Sequence, residues 1–237
     1  MKIINIAAYK FLTFENKQLP TLQNDLREEA LASHLKGTIL LSTEGINLMI
    51  AGERKNIDKY KQFLSNISTL SDIVYKETLS ASCPFKKFVI RIKKEVITMR
   101  CPNIHPEKET AQRISPETFQ RWYEEKQDMI ILDTRNDFEI VMGTFKNAIN
   151  LRLKSFSDFS SAVDQLPESL KDKLIVTFCT GGIRCEKASA LMIKKGFKKV
   201  YQLDGGILHY YEKCGGNYFK GKCFVFDERI SITAIPK

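Results

Sequence analysis

Apolar positions change period along the chain, and the changes divide it into strand-like and helix-like segments. Residues 3–11 carry a dense apolar run that predicts a strand. Over 22–35 the apolar residues recur at helical spacing, with Leu22, Leu26, Ala30 and Leu31 able to share one face and Gly37 as the stop. Thr38, Ile39, Leu40 and Leu41 predict a second strand, Glu44-Gly45-Ile46-Asn47 a turn, and 48–51 the return strand. Asn56 is placed to cap a helix ending near Leu64. Over 86–93, Phe88, Ile90 and Ile92 alternate with Lys87, Arg91 and Lys93, the period of a half-exposed strand with a basic face. The order β-α-β-β-α-β predicts a ferredoxin-like α+β sandwich over residues 1–100.

Cys101-Pro102-Asn103-Ile104-His105-Pro106 interrupts the pattern, and its prolines predict an extended linker over 101–114. Ser115-Pro116-Glu117 reads as an N-cap followed by proline at the first helical position, with Phe119, Trp122 and Tyr123 on the apolar face. Strand-like runs at 129–132, 148–151, 174–178 and 200–203 alternate with helical patterns at 159–166, 186–195 and 207–213. That alternation predicts an α/β domain over 115–220, with a parallel sheet covered on both faces. The tail, 221–237, reads as one further strand over 222–232.

Composition narrows the class. The chain has 237 residues, 43% hydrophobic and 10% aromatic, enough for globular cores rather than disorder. No apolar run reaches the roughly 18 residues a membrane-crossing helix needs. Residues 1–6 read as a first strand and not as an export signal, so the expected location is cytoplasmic, with no membrane partner and mostly reduced thiols. Cysteines 83, 101, 179, 185, 214 and 223 show no Cys-x-x-Cys spacing, and His34, His105 and His209 are scattered, so no metal site is expected. The formal charge of +9 favours an acidic partner such as nucleic acid. Two stretches concentrate it: 84–100, with Lys86, Lys87, Arg91, Lys93, Lys94 and Arg100, and 171–200, with eight basic residues around a cysteine loop. Phe85 and Phe88 in the first stretch are candidates for stacking on RNA, with core packing the better account of Phe88.

That loop, Cys179-Thr180-Gly181-Gly182-Ile183-Arg184-Cys185, holds the candidate chemistry. It follows the β-branched run Leu174-Ile175-Val176-Thr177-Phe178 and opens a helix. A helix N-terminus offers unpaired N–H groups and partial positive charge, and glycines let successive N–H groups point into one cavity. Both favour a thiolate, so Cys179 is the expected nucleophile. Arg184 is expected to stabilise negative charge or to tether the loop to an acid. Thr180, Gly181, Gly182 and Ile183 between them are the expected substrate-binding wall. Cys185 is placed to resolve an oxidised Cys179, although at the helix start its side chain is expected to point away. Asp133 and Arg135 are expected to brace the fold, with a phosphate ligand as the alternative role for Arg135. Glu44 and Asn47 are expected to form a tight turn in which Asn47 takes positive φ.

Several motifs carry a family resemblance. Ile131-Leu132-Asp133-Thr134-Arg135, Glu139, Gly143-Thr144-Phe145-Lys146-Asn147-Ala148-Ile149-Asn150, the loop at 179–184 and Leu203-Asp204-Gly205-Gly206-Ile207 resemble a rhodanese domain. The six residues from Cys179 through Arg184 are the loop size associated with sulfur transfer in that superfamily, one shorter than in the related phosphatases. Gly37-Thr38-Ile39-Leu40-Leu41-Ser42-Thr43-Glu44-Gly45-Ile46-Asn47, the loop itself and Gly221-Lys222-Cys223-Phe224-Val225-Phe226-Asp227-Glu228-Arg229 extend the resemblance to bacterial tRNA uridine hydroxylases, over nearly the whole chain. The resemblance implies oxygen-dependent 5-hydroxylation of the wobble uridine, tRNA recognised through its anticodon stem-loop, molecular oxygen as co-substrate and an essential cysteine at Cys179. A persulfide-carrying sulfurtransferase acting on a non-RNA acceptor is the alternative. No flavin, haem or iron motif is visible, so the residues name no cofactor and no electron donor. Many members of the family carry a cysteine-rich, metal-binding-like tail beyond the Asp-Glu-Arg segment, and the sequence ending at Lys237 has no such residues.

Overall fold

A computed structural model describes residues 2–234 and divides the chain into two compact units, Met1–Ile97 and Thr98–Lys237. In the first, β1 (Ile3–Phe11), α1 (Leu19–Ala32), β2 (Lys36–Ser42), β3 (Gly45–Gly52), α2 (Arg54–Ser65), β4 (Tyr75–Ser80) and β5 (Phe88–Ile92) follow in order. The sheet order is β4-β1-β3-β2-β5. The first four strands pair antiparallel, as the split βαβ sandwich requires, and β5 joins the edge parallel to β2. The motif is therefore closed by β4, whose Tyr-Lys-Glu-Thr-Leu-Ser run is too polar to announce itself, and not by residues 86–93. Ile4, Ile6, Ile39, Leu41, Leu48 and Ile50 from the sheet pack with Leu26, Ala30, Ile57, Tyr60 and Leu64 from the two helices.

Some local expectations change. Leu31 is 56% exposed, because the buried stripe of α1 runs through Leu19, Leu26 and Ala30 instead. Gly37 does not stop a helix: it lies inside β2 at φ 140°, where an added Cβ would stand 2.2 Å from Met49 O. Asn56 falls inside α2, whose N-cap position is Glu53. Gly45, not Asn47, takes the positive φ after the turn. Glu44 and Asn47 instead hold the chain at Val96, whose N–H donates to Glu44 Oε1 at 2.8 Å and whose carbonyl accepts from Asn47 Nδ2 at 3.3 Å. Phe88 packs against the first unit's core.

The second unit runs β6 (Gln112–Ile114), α3 (Pro116–Glu124), β7 (Ile130–Asp133), α4 (Asp137–Ile140), β8 (Gly143–Phe145), β9 (Ile149–Asn150), α5 (Phe159–Asp164), β10 (Leu174–Phe178), α6 (Ile183–Lys194), β11 (Lys199–Leu203), α7 (Gly206–Cys214), β12 (Phe219–Gly221), β13 (Cys223–Phe224) and β14 (Ser231–Ile232). Five strands form a wholly parallel sheet in the order β6-β11-β10-β7-β9. Its edge strand β6 comes from the segment read as linker. Ser115 caps α3, its Oγ accepting from Thr118 N at 3.1 Å. Phe145 anchors the core, meeting Phe119, Phe178 and Tyr210 edge-on with centroids 5.1, 4.9 and 4.8 Å away. The stretch 222–232 is a short β13–β14 hairpin and not one strand: Arg229 N bonds Asp227 Oδ1 at 3.0 Å, and Ile230 turns the chain at φ 63°.

The basic stretch 171–200 is not one cationic face. Lys171, Lys173, Lys195 and Lys198 pair with Glu168, Asp128, Asp164 and Asp172, while Arg184 and Lys187 are buried. Among the described residues, no helix is long and apolar enough to cross a membrane.

Candidate active site

Strand β10 is buried between β7 and β11, so its β-branched residues face core on both sides and its carboxyl end is held in place. Thr134 at the end of β7 fixes that end, donating from N and from Oγ1 to Phe178 O, each at 3.0 Å. The next residue is Cys179, 1% exposed. The chain then folds over its own sulfur: Gly182, at φ 97°, points its N–H at Cys179 Sγ from 3.1 Å and starts α6. Only glycine adopts that φ without strain.

The loop is held from behind. Ile207 N and Leu208 N, at the start of α7, donate to Cys179 O and Thr180 O, each at 3.0 Å. Gly206 lies so close that a Cβ there would stand 2.3 Å from Cys179 O and 2.9 Å from Gly182 N. With these two carbonyls bonded away from the sulfur, N–H groups are left to face it. Asp204-Gly205-Gly206, whose glycines the sequence offers as a turn between strand and helix, and the start of α7 after it are thus the support of the reactive loop. Gly181 is different, since a Cβ on it meets nothing within 4 Å. Gly206→Ala, at φ 64° and in contact with the loop, is expected to cost about 2–4 kcal/mol. Gly181→Ala is expected to leave the melting temperature unchanged. Thermal unfolding of the two variants side by side checks both, and equal losses would contradict this account.

Burial pushes the Cys179 thiol up, but a hydrogen bond from Cys185, the Arg184 charge, and the N–H groups of Arg184 and Gly182 outweigh it and bring the thiol down to about 6. Cys185 moves oppositely: burial and the neighbouring Cys179 hold its thiol well above the usual value. Its side chain therefore turns toward Cys179, contrary to the sequence expectation, and also lies 3.7 Å from Thr134 Oγ1.

Arg184 is buried and bound bidentately to Glu139, Nη1 to Oε1 at 2.5 Å and Nη2 to Oε2 at 2.8 Å. Glu139 is itself fixed by α4, where its Oε1 accepts from Asn136 N at 3.1 Å. The Asn136-x-x-Glu139 spacing of a capping box was the available sequence signal for that role. Asp133 and Arg135 are fully buried. Arg135 binds both Asp133 oxygens, and its Nη2 also donates to Gly143 O at 2.7 Å. Arg135 is thus a brace and not a phosphate ligand. Thr180 Oγ1 lies 3.5 Å from Phe224 O, bringing the β13 hairpin against the loop, and the buried Cys223 beside it is pushed up to about 12. Thr180, Gly181 and Ile183 are partly exposed and Gly182 is buried.

A cysteine at the carboxyl edge of a parallel sheet, with loop N–H groups aimed at its sulfur, defines a rhodanese-type thiol site. Residues 115–213 match the rhodanese-like domain family, and residues 3–96 match the family described as a UPF0176 acylphosphatase like domain. A tRNA uridine(34) hydroxylase of Bordetella petrii is 48% identical over 97% of this chain and 92% of its own length. One of Cupriavidus taiwanensis is 46% identical over 98% and 84%, and one of Bordetella avium 46% over 100% and 99%. The chain belongs to the tRNA uridine(34) hydroxylase family.

Proposed function

We propose that the protein hydroxylates C5 of the wobble uridine of tRNA, with Cys179 as nucleophile and O2 as the source of oxygen. The observation that carries this reading is the Cys179 sulfur, lowered to about 6 and held 3.1 Å from Gly182 N, in a chain whose relatives act on uridine 34 by name. C5 of uracil is a poor nucleophile until an anion adds at C6. Addition of the Cys179 thiolate there places enolate charge at C5, which takes up O2 and a proton as a hydroperoxide. Two thiols of a reductant then cleave the O–O bond, leaving the C5 hydroxyl, one water and a disulfide. Loss of the C5 proton and expulsion of the Cys179 sulfur restore the ring. Arg184 and the loop N–H groups hold the sulfur ionised before addition and after expulsion.

The wobble base is unpaired in the anticodon loop, so turning it toward Cys179 costs little stacking energy. The relatives' shared name, matched across both units, favours this activity over a persulfide carrier with a non-RNA acceptor. The test is nucleoside mass spectrometry of unmodified tRNA incubated with the protein, a thiol reductant and isotopically labelled O2. The expected result is one labelled oxygen on the wobble uridine. An unchanged nucleoside profile would remove the proposal.

A further inference from the structure

Beside the cysteine loop lies an exposed aromatic surface that the chemistry above does not use. Phe138 on α4 is 50% exposed and Phe226, just after β13, is 47% exposed. Both meet the half-buried Phe224 edge-on, with centroids 5.2 and 5.0 Å away. Phe226 in turn lies under the Arg184 guanidinium, 5.9 Å from its central carbon. The rings are therefore joined, through residues already in contact, to the group that holds the Cys179 charge.

Exposed cations stand on segments tied to α4, the helix that carries Phe138. Asn150 Nδ2 donates to Asp137 Oδ1 at 2.7 Å, and Asp137 N donates to Leu153 O at 2.8 Å, so the segment bearing Arg152 and Lys154 is tied to the start of α4. Lys222 N donates to Met142 O at 2.8 Å, just past the end of α4. Arg152, Lys154 and Lys222 are exposed, and among the described residues none of them pairs with an acid. Exposed aromatic faces bordered by unpaired cations are the pattern of single-stranded nucleic-acid binding, in which bases stack on rings and phosphates meet the charges.

The reaction supplies the need for such a surface. Cys179 is 1% exposed, so the reacting base must leave its stack to reach the sulfur, and its neighbours lose a stacking face. We propose that Phe138 and Phe226 form a stacking platform for the unpaired nucleobases flanking the reacting uridine, with Arg152, Lys154 and Lys222 taking the adjoining phosphates. The proposal rests on the RNA reading of the Cys179 site.

The test measures dissociation constants for an RNA hairpin with one target uridine in its loop, at several salt concentrations. Phe138→Ala/Phe226→Ala is expected to weaken binding roughly tenfold or more. Phe226→Trp should bind like wild type, because it keeps a π-face. Replacing the loop bases next to the uridine by abasic sites should weaken binding to wild type but scarcely further to the double alanine variant. Arg152→Gln/Lys154→Gln should lower the salt dependence by about 0.7 for each phosphate that is no longer neutralised. Far-UV circular dichroism of the phenylalanine variants should match that of wild type, showing that the fold is intact. Binding by the double alanine variant within about twofold of wild type, or equal losses on abasic substitution in both proteins, would overturn the platform. Failure of the wild-type protein itself to bind the hairpin would remove the RNA reading together with the platform.

Discussion

Cys179→Ser is expected to reduce formation of 5-hydroxyuridine at least about a thousandfold, since nucleophile removal is among the costliest changes an active site can undergo. The variant should still fold, because serine has nearly the volume of cysteine and its oxygen can accept from Gly182 N where the sulfur does now. What it loses is charge. The surroundings that bring a thiol down to about 6 act on a hydroxyl whose starting value is far higher, so it stays protonated near neutrality. In the wild type, alkylation of Cys179 should rise with pH through a midpoint near 6, the protonated sulfur below it being unreactive.

The same shift has a sign in stability. The folded-state value lies below the usual 9.0, so ionisation of Cys179 stabilises the fold fully above about pH 9 and contributes nothing well below pH 6. The stability gap between wild type and Cys179→Ser should therefore widen from pH 5 to pH 9 in urea unfolding. A gap of equal size at both ends would refute the assignment of the thiolate.

Glu139→Ala is expected to be the most destabilising single change near the site, at about 3–5 kcal/mol. It leaves the Arg184 guanidinium buried with neither of its carboxylate bonds, and a buried charge without its partner is far more costly than an exposed one. A loss of that size is a large part of the roughly 5–15 kcal/mol that holds a domain folded. The pair also shapes the chemistry, since the Arg184 charge is one of the causes that lower Cys179. Arg184→Met/Glu139→Leu replaces both charges by apolar groups and should recover much of the stability, but its alkylation midpoint should move up toward that of an ordinary thiol. Chemical unfolding and alkylation of wild type and the two variants separate the two effects. A Glu139→Ala variant within about 1 kcal/mol of wild type would count against the buried pair.

The parts of the site that could be read in the sequence were those fixed by neighbours in the chain. Leu174–Phe178 is bounded as expected, because a strand buried on both faces is a continuous β-branched run ended by the loop. Helix α6 starts at Ile183, a few residues before the expected 186, because the φ of 97° at Gly182 lets the first turn form directly on the loop. Its stretch from Arg184 to Met192 is buried, so no polar stripe marked its beginning. What could not be read were contacts between distant segments. Glu139 is 45 positions from Arg184, and Gly206 supports a loop more than twenty residues earlier through its lack of a side chain. The inward turn of Cys185 depends on where β7 places Thr134, and charge counted along 171–200 gave no sign that acids elsewhere pair with Lys171, Lys173, Arg184 and Lys195.

The bonds from Ile207 and Leu208 to the loop carbonyls also bear on how the resting protein survives. Reversing either peptide would break a bond at once, so the nucleophile is charged before any substrate arrives. A permanently armed sulfur is vulnerable to peroxide and to bulky disulfides. At 1% exposure, Cys179 offers such reagents almost no surface to attack. Protection here comes from burial and not from holding the thiol in an inactive state, so the cover that shields the sulfur from chance oxidants is also what a substrate must get past.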